Sequence, residues 1–311
     1  MPPSDSPWLK RVRFHQAWYR VAVLELENYG SLAGSGAGCG SVLVEADAAS
    51  SMNFVGERPA REYSHRRAAG WGVDPVRCTK YMTSSQTLTF NMLSDAVSRQ
   101  VECAELFGAL SGRDDLERLT SYHFEYSAVG QQHFLGDRTH IDLLLEFKTK
   151  DGGTQVVAVE TKLADRFSTR RTAGMHGAQY ERLQEESGLW ISMTASLMDN
   201  QTRQLTRCHA LAQSVQQTYR PRGHATMLTL LHDDDRNGIR SAAAYGHRVA
   251  VAGSARIATW GEYLNAARAA NAIPETTLST LLKRYVDLSA SEPSWVAWQQ
   301  HSRSRSADNV Y

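Results

Sequence analysis

Cysteine is scarce in this chain of 311 residues, and the four present, Cys39, Cys78, Cys103 and Cys208, lie far apart with no CxxC pair. That argues against a zinc ribbon and against a disulfide framework, both of which need clustered or closely matched cysteines. Cys103 and Cys208 fall inside helical patterns and read as core residues, and the free thiols fit a reducing cytoplasm. An excess of charge of one sign is also missing. The 34 Lys and Arg nearly balance 33 Asp and Glu, for a net charge of +1. No global field draws in nucleic acid, so any positive surface has to be local. No apolar run is long enough to cross a membrane, and MPPSDSPWLKRVRFHQAW at the N-terminus lacks the apolar core of a signal peptide. There is no internal repeat and no sustained heptad pattern. Gly30 to Gly40 holds five glycines, yet no GK[ST] follows and GxGxxG fails in register, so the stretch reads as a loop rather than a phosphate cradle.

What is present is a chain long enough to bury a large core, organised around Gly136 to Asp165, GDRTHIDLLLEFKTKDGGTQVVAVETKLAD. Two strands are expected, His140 to Lys148 and Thr154 to Leu163, joined at Asp151-Gly152-Gly153, where glycine tolerates the positive φ of a tight turn. The first strand is apolar but carries Asp142. The second starts as Val156-Val157-Ala158-Val159 and ends in Glu160-Thr161-Lys162. Alternation along a strand sends Glu160 and Lys162 to one side and Thr161 to the other. A carboxylate and an ammonium at the end of a buried strand are costly without partners or a task. A solvated strand end or a cross-strand ion pair is the plain alternative. A rival copy, Glu146-Phe147-Lys148, abuts the turn, where charge is ordinarily just solvated.

Elsewhere, residues 8–29 read as a helix or a helix leading into a strand. Residues 41–67 read as a loop, and its arginines Arg58, Arg61, Arg66 and Arg67 are read as solvated in preference to contacting a DNA backbone. Thr87 to Leu110 has the apolar spacing of one long helix, with Ser111-Gly112 as its stop. Its Glu102 and Glu105 read as surface carboxylates. His123 to Ser127 is a short aromatic strand on the edge of the sheet, and its Glu125 reads locally as a structural strand residue, with a second reading that depends on the resemblance given below. Asp137 and Arg138 form a backbone-shaping pair, or Arg138 reaches a phosphate. Arg166, Arg170 and Arg171 make the densest local positive charge, suited to phosphate contacts or to an exposed loop. Gln179-Tyr180 opens a helix, and Asp199 to Tyr219 is another. His209 in it reads as a packing histidine. Ala225 to Leu231 is a buried strand, followed by the acidic loop His232-Asp233-Asp234-Asp235. A strand and an amphipathic helix span Arg256 to Ala270, and a further helix spans Thr277 to Leu288. The tail HSRSRSADNVY reads as frayed.

The pair Asp142 and Glu160-Thr161-Lys162 resembles the core pattern of the PD-(D/E)XK nuclease superfamily, an Asp on one strand and (D/E)-x-K on the next. The order Ser84-Ser85-Gln86 and Phe90-Asn91, Phe124-Glu125-Tyr126-Ser127, Gly136-Asp137-Arg138-Thr139, Glu160-x-Lys162, then Gln204-Leu205 through Arg207, His209 and Leu211-Ala212, is similar to a bacterial branch described as restriction-endonuclease-like. The resemblance spans residues 82–233. It implies an α/β fold with a mixed central β-sheet flanked by helices, a restriction-endonuclease-like core at residues 81–300, preceded by an N-terminal extension (1–80) and followed by a polar tail (301–311). It implies that Asp142, Glu160 and the Thr161 carbonyl hold Mg²⁺, with Mn²⁺ able to substitute. Lys162 would orient or help deprotonate the attacking water, Glu125 would complete the site, and Gln204 and Arg207 would contact nucleic acid. The activity implied is metal-dependent hydrolysis of DNA phosphodiester bonds, in restriction or phage defence. A nuclease-like binding or assembly module without cleavage, and a nuclease for RNA or repair intermediates, stand as the other readings. The expected setting is the cytoplasm, the expected partner DNA and no membrane, and a homodimer would give two active sites for a duplex.

Overall fold

The computed structural model describes residues 2, 4–70, 72–130, 135–136, 138–171 and 177–308. At its centre are five strands, β1 (Leu116–Tyr126), β2 (Ile141–Thr149), β3 (Thr154–Thr161), β4 (Thr226–Leu231) and β5 (Ala255–Thr259), hydrogen-bonded in sequence order. The first three run antiparallel, and β3, β4 and β5 are parallel. The sheet is therefore mixed, as expected from the sequence. Gly152, with φ +84°, supplies the turn between β2 and β3.

Thirteen α-helices surround the sheet among the described residues. Before it come α1 (Pro7–Ala22), α2 (Glu45–Ala49), α3 (Glu57–Ala68), α4 (Pro75–Lys80), α5 (Ser85–Leu93) and α6 (Gln100–Ser111). Between β3 and β4 lie α7 (Ala178–Ser187), α8 (Met193–Met198) and α9 (Arg203–Tyr219), and between β4 and β5 lies α10 (Arg236–Gly246). The chain ends in α11 (Trp260–Ala269), α12 (Glu275–Leu281) and α13 (Glu292–Asp308). Both sheet faces are covered, which is why β3 and β4 read as unbroken apolar runs. Leu143, Leu145, Phe147, Val157 and Val159 pack with α5, α6 and α11 on one face. Leu144, Val156 and Ala158 pack with α7 to α10 on the other. Asp142 and Glu160 share the parity of this second set, so β2 and β3 aim them toward α9.

The first 80 residues share the first core, through Val12 of α1, Phe54, Tyr63 of α3 and Cys78 of α4. They are also tied to the far end of the chain. The His15 ring nitrogens sit 2.9 Å from Ser291 Oγ and 3.0 Å from the Lys283 carbonyl, and the buried Arg284 guanidinium donates to Asn53 Oδ1 at 2.6 Å.

Three expectations change. The long helix expected over residues 87–110 is broken into α5, a short 3₁₀ turn at Ala96–Ser98, and α6. Ser98 Oγ donates to the Asp95 carbonyl at 2.6 Å and Asp95 pairs with Arg58 at 3.0 Å, the competition with helical hydrogen bonding that Ser and Asp bring. The basic end of residues 41–67 is helical, since α3 carries Glu57 in its first turn and His65, Arg66 and Arg67 in its last, as the helix dipole favours. The tail is helical through Asp308, and α13 is held where Phe14 meets Trp295 edge-on at 5.2 Å.

Candidate active site

The sheet lines up three carboxylates. The β2–β3 ladder ends at Leu143–Val159, and the next step sets Asp142 opposite Glu160. On the other side Phe124 pairs with Leu143 and Tyr126 with Ile141, so Glu125 stands opposite Asp142. Glu125 has φ +49°, a left-handed conformation that a non-glycine residue adopts rarely and at a cost. Its side chain is buried and Oε1 has no hydrogen-bond partner.

The electrostatics follow from that crowding. Burial, then the nearby Asp142 charge, pushes Glu160 up to about 7. The same two causes, in the same order, raise Glu125 well above the usual carboxylate range. A buried like charge always disfavours ionisation, and a cation placed among the carboxylates would reverse the effect. Burial pulls Lys162 down, but the Glu160 and Asp142 charges outweigh it and hold the ammonium above its ordinary value. Lys162 Nζ donates to Glu160 Oε1.

Partners from five helices fix these groups and the strand end beside them. Asp142 Oδ2 accepts from the Thr161 N–H at 2.8 Å and the Thr161 hydroxyl at 2.9 Å, and that hydroxyl lies 2.6 Å from Thr89 of α5. From α9, the Gln204 amide also donates to Glu160 Oε1, and the Cys208 thiol approaches Oε2 at 3.6 Å. The backbone just past the strand is pinned twice, by Trp260 Nε1 on the Lys162 carbonyl at 3.1 Å and by Trp8 Nε1 on the Leu163 carbonyl at 3.0 Å. Ser85 donates to Asp165 at 2.8 Å, which also pairs with Arg77 at 3.5 Å. Asp142, Lys162, Ser85, Gln86, Arg77, Asp165, Arg166 and Gln204 line an open cleft of ≈ 720 Å³.

The remaining sequence candidates disperse. Arg166 reaches the cleft, while Arg170 and Arg171 are exposed on the chain beyond it and Arg138 is exposed before β2. Gln204 bonds Glu160. Arg207 is only 7% exposed within α9, which keeps it from presenting its charge to solvent. Asp137 lies outside the described residues. Gln179 and Glu105 are exposed. His209 bridges the Tyr245 hydroxyl and the Ala225 carbonyl in the core. In the acidic loop, Asp235 caps α10 and the Asp233 carboxylate accepts from Gly261 N–H. In the rival copy, Glu146 accepts from Tyr219 and Lys148 pairs with Glu117 at 3.1 Å, so it is a satisfied strand end. Trp8, Trp260 and Thr89 are the contributors that motif reading misses; Thr89 lies within the SSQ…FN stretch, whereas nothing local marks either tryptophan.

A family model described as the PD-(D/E)XK nuclease superfamily matches residues 3–287. The chain belongs to the PD-(D/E)XK nuclease superfamily. No curated protein and no solved structure matches it. The superfamily match starts at residue 3, well before the segment 82–233 in which the motifs are readable, in accord with α1 sharing the core and pinning the strand end. PD-(D/E)XK nucleases generally use divalent metals. Among the described residues no three Asp, Glu, His or Cys side chains already form a cage. The donor set nevertheless suits a hard cation, which takes oxygen ligands and keeps several waters. Asp142 faces Glu160 across adjacent strands, and Glu125 adds a buried oxygen with no partner.

Proposed function

We propose that this PD-(D/E)XK protein is a metal-dependent endonuclease that hydrolyses phosphodiester bonds in DNA. The observation that carries the reading is that the complete Asp, Glu and Lys set lies at adjacent strand ends beside an open cleft, with a third buried carboxylate next to it. Asp142, Glu160 and the Thr161 carbonyl would hold Mg²⁺ or Mn²⁺, with Glu125 as a further ligand. When bound, the ion supplies a water of lowered pKa and Lewis-acid polarisation of the phosphate. Thr161 and Thr89 fix Asp142, while Gln204 and Cys208 fix Glu160, so the ligands are oriented before substrate arrives. Lys162 remains charged beside Glu160. It therefore serves as a donor that orients the water and stabilises charge developing on the phosphate, rather than as the base. Arg77 and Arg166 at the cleft, with Arg138, Arg170 and Arg171 further out, offer phosphate contacts. A role in restriction or phage defence rests on the motif order set out above.

The test is cleavage of plasmid, single-stranded DNA and RNA in Mg²⁺. Asp142→Asn and Glu160→Gln should each lower the DNA rate by at least about a hundredfold, and chelation should abolish it. Full activity in both variants, or cleavage of RNA alone, would overturn the reading.

A further inference from the structure

The cleft beside Lys162 does not end at the catalytic groups. A second cavity of ≈ 340 Å³ shares Asp165 and Arg166 with it and extends between the start of α1 and α10. Its lining divides by chemistry. One part is apolar, with Trp8, Ala164 and Phe167. The other is polar, with Arg240, Asn200, Asn237 and Ser241. The Phe167 ring also lies 5.4 Å below the Lys162 ammonium, so the apolar part adjoins the catalytic lysine.

Two cations here are unengaged. Arg166 and Arg240 are exposed and make no hydrogen bond or ion pair among the described residues. The two carboxylates of the lining are occupied. Asp165 takes Ser85 and Arg77, and Asp235 caps α10 by accepting from Gly238 N–H at 3.0 Å. Apolar rings, side-chain amides and two guanidinium groups without a partner among the described residues share this lining, and together they suit a ligand with a flat apolar part and an anionic part. The volume falls within the range of small-ligand sites.

We infer that this cavity is a nucleotide subsite, which takes one unpaired nucleotide of the substrate strand next to the scissile phosphate. Its base lies against Trp8 and Phe167, and its phosphate meets Arg166 and Arg240. The inference rests on the nuclease reading for the direction of the strand, and it narrows the substrate. A base seated in a pocket has left its partner, so the bound strand is single, frayed or flipped at that position. A continuous paired duplex does not satisfy the subsite.

Binding without cleavage tests this separately from catalysis. Labelled single-stranded, 3′- and 5′-overhang and blunt-duplex oligonucleotides are titrated against wild type and Arg240→Ala in EDTA, and the same substrates are scored for cleavage in Mg²⁺. Single-stranded or overhang DNA should bind at least about tenfold more tightly than blunt duplex. Arg240→Ala should weaken that binding about tenfold and reduce the salt slope by about 0.7, one phosphate on a single strand. An abasic nucleotide walked along the strand should cost about tenfold at a single position, a readout that needs no change in the protein. Equal affinity for blunt duplex, with Arg240→Ala and every abasic position neutral, would overturn the subsite even if wild type cleaves. Binding that follows the prediction in a protein that cleaves nothing would uphold the subsite and remove the nuclease reading.

Discussion

Glu160 is the residue on which the site turns. It is fully buried, accepts from Lys162 and Gln204, and lies opposite Asp142. With its carboxyl raised to about 7 by burial and by Asp142, a proton competes with a cation for it below that pH. The sign is therefore fixed: metal affinity should fall as pH drops below about 7, by about tenfold per unit while one proton is displaced. Calorimetric titration of Mn²⁺ at pH 8, 7, 6 and 5.5 measures this. An affinity flat across that range would separate Glu160 from the metal. Asp142, Glu160 and Lys162 stand out in the sequence because they match the superfamily's Asp and (D/E)-x-K pattern, and alternation along two strands joined by one tight turn brings them to neighbouring strand ends. The bond from Gln204 to Glu160 could not, since it joins residues 44 positions apart and a Gln in a helix looks equally suited to phosphate. Glu125 stands out in the sequence only by its place in the motif order, and its left-handed backbone and unpartnered oxygen are features of the structure alone.

At the scale of elements, α1 gives a physical reason for the family match to begin at residue 3. Its Trp8 donates to the carbonyl next after that of Lys162, from 155 residues away in sequence. Trp8→Phe removes the N–H together with part of the ring, and should cost at least about 1 kcal/mol by leaving a carbonyl short of a partner. Denaturant unfolding checks this, and an unchanged midpoint would show that the bond contributes nothing. The central strands were readable from apolar runs and turn residues, but β1 begins at Leu116, before the expected His123, and the sheet order comes from the structure. The fragmentation into α5, a 3₁₀ turn and α6 was not, because apolar spacing continues through residues 94–99 and only the pairing of Asp95 with Arg58 shows where the helix yields. The helical character of α3 was hidden for the opposite reason. Its arginines made residues 57–68 look like a solvated loop, yet Pro59 and Tyr63 face inward and Arg66 donates to the Glu125 carbonyl at 2.9 Å.

For the whole molecule, pH should act on stability through two buried histidines that make no bond to the carboxylate row. Burial lowers both His15 and His209 to about 4, so each is neutral in the fold and charged in the unfolded chain between about 4 and 6.5. A depressed folded value means the stabilisation is present above about 6.5 and is lost as pH falls to about 4. Each contributes up to about 3 kcal/mol of that loss. Unfolding of wild type and His209→Gln at pH 7 and pH 4.5 should show a smaller pH effect in the variant, and an identical slope would exclude His209. No sequence pattern announced this coupling. His15 joins α1 to Lys283 and Ser291, a closure between the two ends of the chain that depends on tertiary packing alone.

The central claim is that Lys162 and the carboxylates beside it cleave DNA. The most direct measurement compares wild type with Lys162→Ala on plasmid and single-stranded DNA in Mg²⁺, Mn²⁺ and EDTA, with circular dichroism to confirm that both are folded. The account predicts metal-dependent cleavage by wild type and a loss of at least about a hundredfold in the variant. Equal cleavage by the two proteins, or none by wild type on any DNA with either metal, would contradict it.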